Sequence, residues 1–402
     1  MSQLQATNRL PVHSEYDLAI VGSGLVGSSL ALALSGSGLR ILQLESQAIS
    51  SSVANFDERH LALNAHTLQR LTSFGVQAIA SEGAAIEQLH ISRQGEFGRV
   101  KLSAQQYGLS ELGRVVPARI LSRALEQALT GVTELTRLRP ARLHGLHSDE
   151  SCVTLDVSHA DNDLSVKARL VVGADGTASS VRKFAGIAAD IPPYEHQALV
   201  FNLRTERSPN GCAYERFTAT GPIALLPLPE RRMGAVWTLP LAYADRMMAL
   251  SEADFVQQFQ SAFGYRLGRF TKLGNRTLWP LSYLRAHASG DPRVVLIGNA
   301  SQTIHPLGAQ GFNLGLRDAE VLAAAVRTGD LDSPTLVEDY QAARARDREQ
   351  TYAFSEATLL ASSSDNLLAK LGRTISFALL DRLPPAKLEL LRWGLGHTRS
   401  AA

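Results

Sequence analysis

The sequence predicts an α/β protein in which a parallel, Rossmann-like nucleotide-binding unit is interleaved with a mainly antiparallel β unit and followed by a helical C-terminus. Three observations predict it. Near the N-terminus an apolar strand runs through a glycine-rich turn into a helix; residues 86–103 and 195–240 alternate as short strands with Gly and Pro turns; and a second strand, glycine loop and helix follow at 291–319.

The first element is the apolar strand Tyr16 to Val21, which leads through Gly22, Ser23, Gly24, Leu25, Val26 and Gly27 into the apolar helix Ser28 to Leu34. In this context G-x-G-x-x-G has a mechanical meaning. Gly22 allows the tight turn, Gly24 lets the backbone approach a pyrophosphate, and Gly27 lets the helix pack closely on the strand. Leu39 to Leu44 supplies the next strand, ending at Glu45, where an acid about twenty residues past the glycines accepts hydrogen bonds from a ribose diol. A helix at 117–130, a strand at 151–157 and the Asp-Gly turn within VVGADGTASSVR (171–182), which contains Asp175 and Gly176, continue the same unit.

Between these elements lie strands of another kind. IEQLHIS and GRVKLS, then QALVFNLRT, YERFTAT, PIALLPLP and MGAVWTLP, read as an antiparallel sheet. The expected division is therefore discontinuous: 1–82, 112–188 and 277–347 form the nucleotide-binding domain, 83–111 and 189–276 the second domain, and 348–402 a C-terminal helical region. At 402 residues more than one packed unit is expected. In the last motif Arg293 to Ile297 is a strand, Gly298 permits a close backbone approach, and Pro306, Gly308 and Gly311 punctuate a loop before the helix that starts at Phe312. A helix N-terminus there aims unpaired N–H groups at whatever docks.

Taken in order, the G-x-G-x-x-G, the central Asp-Gly motif and GNASQTIHPLGAQGFNLGLRD resemble the flavoprotein aromatic hydroxylases built like p-hydroxybenzoate hydroxylase, over nearly the whole chain. Within that group the late motif, FDERHLALNAHTLQRL and YERFTATGPIALLPLP resemble the hydroxylases of ubiquinone biosynthesis, closest to the branch acting on 2-octaprenyl-6-methoxyphenol. The resemblance implies bound FAD, transient NADH or NADPH, and hydroxylation of a polyprenylated phenol with O2, the second domain roofing the substrate over the flavin. It implies cofactor contacts at Gly22, Ser23, Gly24, Gly27 and Glu45, at Asp175 and Gly176, and at Gly298, Asn299, Gly308, Gly311, Phe312 and Asn313. Arg59 and Arg119 correspond to positions near the flavin, although each also reads as an ordinary surface arginine. Pro306 matches a proline whose carbonyl lies beside the reacting ring, and the adjacent His305 is suited to help a phenol lose its proton; the plain readings are a loop-setting proline and a solvated histidine. Phe217, Leu225 and Trp237 are expected either to line the pocket or to be core. Two positions depart from the family pattern: Asn299 stands where Asp is usual and Gln302 where His is usual.

Composition fits an enzyme without a nucleic-acid surface. Lys and Arg number 40 against 38 Asp and Glu, and the arginines are spread along the chain. Cys152 and Cys212 stand far apart with no metal-ligand pattern, which suits a reducing compartment. The polar arm before Tyr16 reads as neither signal nor span. A cytoplasmic enzyme is expected, peripheral to the inner membrane if the basic, apolar segment Lys370 to Ala402 lies on lipid; that segment equally suits packing on the protein's own body or on a partner in a biosynthetic complex. Oligomeric state is left open. Other readings are a sister hydroxylase acting at another ring position, a prenyl-chain reductase, a flavin halogenase, whose W-x-W-x-I-P motif is missing around Trp237, and a non-catalytic FAD scaffold.

Overall fold

The computed structural model describes residues 14–48, 60–77, 79–160, 162–193, 195–287, 291–304 and 310–363, together with 382–383, 387–389 and 391. Its first sheet is built on β1 (Glu15–Val21), β2 (Ile41–Leu44), β8 (Leu135–Leu138), β11 (Asn162–Gly173) and β20 (Val294–Leu296), in the order β8-β2-β1-β11-β20 and all parallel. β11 is long enough to serve twice. Its first half pairs antiparallel with β10 (Val153–His159), which pairs with β9 (Ala141–Ser148), while Val171–Gly173 pairs with β20.

The parallel strands are buried on both faces, as near-continuous apolar runs require. One face carries α1 (Leu25–Ala33), α4 (Ala118–Leu129) and α8 (Gln310–Thr328), and its core includes Leu18, Ile20, Leu30, Leu121, Leu125, Leu316 and Leu322. The other buries Val21, Leu44, Val153, Val171 and Val294 with Val181 of α5 (Ser180–Phe184). α9 (Leu336–Ser363) packs along α8.

The second large sheet follows the strand pattern read from the sequence. β5 (Gln88–Arg93), β6 (Arg99–Ser103), β13 (His196–Thr205), β14 (Cys212–Thr218), β15 (Gly221–Leu228), β16 (Arg232–Pro240), β17 (Phe270–Leu273) and β18 (Thr277–Pro280) run β17-β13-β16-β15-β14-β5-β6, with β18 also on β13. One pair departs from the antiparallel pattern: β5 and β14 run parallel, because the segment between them passes through the first domain. α6 (Leu241–Ala249) and α7 (Glu252–Phe263) cover one face, burying Trp237, Phe201, Phe255, Phe259 and Phe263. Each such side chain contributes about 1.5–3 kcal/mol when fully buried.

Three of the expected domain limits are corrected. Thr277–Pro280 belongs to the second sheet, paired from Gln197↔Pro280 to Val200↔Thr277, so the chain returns to the first domain only after Pro280. The limit at 347 falls inside the continuous helix α9, which leaves no separate region starting at 348. The limit near 83 is blurred by a small sheet of β3 (His60–Asn64), β7 (Gly113–Pro117) and β4 (Ala84–Ile86), to which both expected domains contribute. The short elements are α2 (Ala65–Ser73), α3 (Ile79–Glu82), and β12 (Ala189–Asp190), β19 (Leu284–Ala286) and β21 (Gln302–Thr303), which form a minor sheet. Among the described residues no helix is long and apolar enough to cross a membrane. Most of Lys370 to Ala402 lies outside the described residues; Leu391, within it, is 4% exposed and packs with Val100 and Leu102 of β6.

Candidate functional site

The three glycines of the first motif are required for different reasons. Gly22 has φ +106°, and a Cβ on it would stand 2.4 Å from the Ala174 carbonyl oxygen; a Cβ on Gly27 would stand 2.1 Å from the Gly22 carbonyl oxygen. Those two are demanded by the protein itself. Gly24 is not: its φ is −64°, and an added Cβ would meet nothing within 4 Å among the described residues. It lies at the N-cap of α1, where the first helical N–H groups lack intrahelical partners. A bare, positively polarised backbone with open space beside it fits a pyrophosphate.

Glu45 closes this end. Its Oε2 accepts from the Ser23 N–H at 2.9 Å and the Ser23 hydroxyl at 3.0 Å, and its Oε1 from the Gln47 N–H at 2.9 Å. Burial pushes the carboxyl up, but the hydrogen bonds from Gln47 and Ser23, with Arg139 nearby, outweigh it and hold the group below its ordinary value. It is thus a fixed, ionised acceptor of the kind that suits a ribose diol. The Ser23 N–H and hydroxyl are spent on positioning it.

The Asp-Gly segment and the late motif are tied together. Asp175 accepts from the Ser180 N–H at 2.6 Å, the Val181 N–H at 3.2 Å and the Ser179 hydroxyl, so its carboxylate anchors the start of α5. Gly176, at φ +83°, turns the chain. Arg182 donates to the Thr177 carbonyl at 2.8 Å and the Ala300 carbonyl at 2.9 Å, while the Thr177 and Thr303 hydroxyls meet at 3.0 Å. Gly298, at φ +57°, comes so close to α1 that a Cβ would lie 3.1 Å from Val26. Gly315 of α8 repeats the constraint, with a Cβ position 2.6 Å from Val26.

Behind this loop is a buried charge network that the sequence reading missed. Asp318, 0% exposed, accepts from the Gly298 N–H at 3.0 Å and Gln302 Nε2 at 2.8 Å through Oδ2, and from Arg344 at 2.7 Å and Arg348 at 3.1 Å through Oδ1. Asp347 joins Arg344 at 2.6 Å and Arg317 at 2.8 Å. The available signal was Arg344, Asp347 and Arg348 at i, i+3 and i+4 on one helix, opposite the Asp closing the late motif. Gln302 is therefore part of the support of the loop. Asn299 is exposed beside it. Since an Asn oxygen and an Asp oxygen accept alike, Asn299→Asp is expected to retain stoichiometric flavin, checked by the absorbance of the purified variant.

The remaining expectations sort as follows. Asn313 turns inward: its Oδ1 accepts from the Asn64 N–H and its Nδ2 donates to the Ala62 carbonyl, both at 3.1 Å, which locks the start of α8 to β3. Gly311 is exposed in the first turn of α8, Phe312 packs partly on the core, and Arg119 is half-buried in the first turn of α4. Beside this seam the Asn64 Nδ2 is buried without a hydrogen-bond partner among the described residues. Arg59, His305, Pro306 and Gly308 lie outside the described residues. The pocket reading of Leu225 and Trp237 gives way to the core reading: both point to the α7 face, where the Trp237 ring packs 5.5 Å from Phe259. Strand alternation puts Phe217 on the opposite face.

The chain matches a family model described as an FAD binding domain over residues 15–355. It is 33% identical over 387 residues to the ubiquinone hydroxylase UbiL of Rhodospirillum rubrum, covering 94% of this chain and 89% of that protein. It is 31% identical to the 3-demethoxyubiquinol 3-hydroxylase of Escherichia coli, over 76% of this chain and 78% of that one. Among solved structures it is similar to p-nitrophenol 4-monooxygenase PnpA from Pseudomonas putida, with a TM-score of 0.78 at 18% identity, covering 97% of this chain and 100% of the other, a likeness of fold. An open glycine turn over a helix N-terminus, an ionised ribose acceptor and a braced late loop suit FAD, and with these matches the chain belongs to the FAD-dependent monooxygenases of the ubiquinone-hydroxylase family, for which NAD(P)H is the typical electron donor.

Proposed function

We propose that this enzyme hydroxylates a polyprenylated methoxyphenol para to its phenol hydroxyl, converting 2-octaprenyl-6-methoxyphenol or a homologue of different tail length to the 1,4-benzoquinol with NAD(P)H and O2. The near full-length similarity to the ubiquinone hydroxylase UbiL at 33% identity supports hydroxylation in ubiquinone formation, and the choice of the methoxyphenol and of its para carbon rests on the resemblance carried by the Asn299 and Gln302 pair and the YERFTATGPIALLPLP segment.

Bound FAD would supply acceptance of hydride from the nicotinamide and activation of oxygen. The protein's own work is holding and shielding. Gly24 and the start of α1 would hold the pyrophosphate, Glu45 the ribose, and the late loop from Gly298, with Asn299 and the N-terminus of α8, the ribityl and ring end. The sheet face bearing Phe217 excludes water and confines the phenol, whose oxygen makes the ortho and para carbons electron-rich; the confinement selects between them. Pro306 and His305 are proposed on resemblance as the groups beside the reacting ring. The substrate's prenyl tail is too apolar to be free in water, so the enzyme is proposed to work in the cytoplasm at the inner-membrane surface or within a biosynthetic complex.

Deleting the gene is expected to accumulate the prenyl-methoxyphenol and stop ubiquinone formation, and the purified protein to consume NAD(P)H in response to that phenol with one atom of O2 entering the product. A second reading, hydroxylation at another ring position, is favoured by the 31% identity to the 3-demethoxyubiquinol 3-hydroxylase. Accumulation of a later intermediate lacking one ring hydroxyl would select it and sink the para assignment.

A further inference from the structure

Glu215 is the one acid of the motif YERFTATGPIALLPLP, and among the described residues no ion pair involves it. Its two neighbours on β14 fix where it points. The Tyr214 ring packs edge-on against Phe263 of α7, with centroids 5.5 Å apart, and Arg216 Nε donates to the Ala262 carbonyl at 3.1 Å. Successive side chains of a strand alternate, so Glu215 lies on the other face of the sheet with Phe217. Its cross-strand neighbours there are Ile91 on β5 and Ala224 on β15, followed by Val236 on β16 and Val200 on β13, all apolar.

That face looks towards the flavin domain. At Gly234 of β16 a Cβ would lie 3.9 Å from the His60 ring, and β15 runs against β4, β7 and α9. His60 opens β3, the strand that Asn313 locks to the start of α8 and therefore to the late motif. Within this apolar surround the Glu215 Oε1 is sealed from solvent and has no hydrogen-bond partner among the described residues, while the residue as a whole keeps partial exposure. The remaining exposure leaves this part of the sheet face open to a ligand. Burial alone pushes it up to about 8, so it is mostly protonated near neutrality and offers both a donor and an acceptor.

An unsatisfied buried carboxyl costs stability, and it persists where its partner is a ligand. We infer that Glu215 is the residue that recognises the substrate ring: its carboxyl exchanges hydrogen bonds with the phenol hydroxyl and holds the ring against the sheet. The inference rests on the phenolic substrate proposed above. The two oxygens of the carboxyl match a hydroxyl that both donates and accepts, and the surrounding Ile91, Ala224 and Val236 give the ring an apolar wall.

The test uses the FAD-loaded enzyme and two probes, a 2-methoxy-6-alkylphenol and its O-methyl ether, with binding read from the flavin absorbance. The wild type is expected to prefer the phenol by about tenfold, the worth of one or two buried hydrogen bonds. Glu215→Met is expected to abolish that preference, keep its FAD and melt no lower than the wild type, because an apolar side chain relieves the buried carboxyl. Glu215→Gln keeps a donor and an acceptor and should retain the preference. A Met variant that still prefers the phenol, or that melts well below the Gln variant, overturns the role of Glu215 alone, the latter by showing that the carboxyl serves the fold. A wild type that binds neither probe and does not consume NAD(P)H in their presence overturns the phenolic substrate and this role together.

Discussion

Gly24→Val is expected to give a folded protein without FAD. The first side-chain atom has room, since a Cβ at this position has nothing within 4 Å among the described residues, and its φ of −64° suits any residue. What it obstructs is the approach of the pyrophosphate to the N-terminus of α1. Losing two charge-assisted hydrogen bonds there, at about 1.5–3 kcal/mol each, weakens FAD by about a hundredfold or more. The neighbouring glycines are the controls. Gly22→Ala and Gly27→Ala drive a Cβ to within 2.4 Å and 2.1 Å of backbone oxygens and should lower the melting temperature of the apoprotein, which Gly24→Val should not. Flavin content after gel filtration and apoprotein melting together decide the matter; a Val variant that keeps a full complement of FAD would show that this turn does not carry the pyrophosphate.

The difference among these three glycines shows how far the sequence could be read. Spacing alone assigned a turn, a ligand approach and a helix–strand contact; the Cβ positions bar a side chain at Gly22 and Gly27 and leave Gly24 clear of protein neighbours among the described residues, which is compatible with the second task. Strand patterns were equally legible where both sheet faces are built from alternating or continuous apolar runs, as in β13 to β16. Face assignment was not: Leu225 and Trp237 could be read as pocket lining or, as is more usual for apolar strand residues, as core, because an apolar strand buried on both sides gives no sign of which side holds helices. The helices α6 and α7 decide it, with Tyr243, Phe255 and Phe259 packed against Trp237. The domain limit at 277 was missed for a related reason, since the short strand Thr277–Pro280 gains its identity from pairing with β13. Partners such as Asp318 and Arg344, twenty-six residues apart, leave only residue types in a sequence; their meeting is a product of how α9 crosses α8.

Asp318→Asn is expected to be the most damaging single-atom change in the chain. Asp318 is fully buried and, among the described residues, is the one carboxylate paired with Arg348, and it shares Arg344, whose side chain is 4% exposed, with Asp347. An amide removes the charge and presents N–H groups to a neighbourhood of donors: the Gly298 N–H, Gln302 Nε2 and two guanidinium groups already compete for the two oxygens. Breaking a buried ion pair from one side costs about 3–5 kcal/mol, far more than the intact pair adds over an apolar replacement. The loss should therefore be visible in two measurements. Melting temperature falls, and FAD affinity falls with it, because the Gly298 turn loses the acceptor that holds it against Val26. The double variant Asp318→Asn with Arg344→Met separates the causes. Removing one stranded guanidinium should recover part of the stability without restoring the Gly298 anchor, so FAD remains weakly bound. If both properties recover together, or if Asp318→Asn alone leaves FAD binding intact, the network braces the helices and has no hold on the cofactor loop.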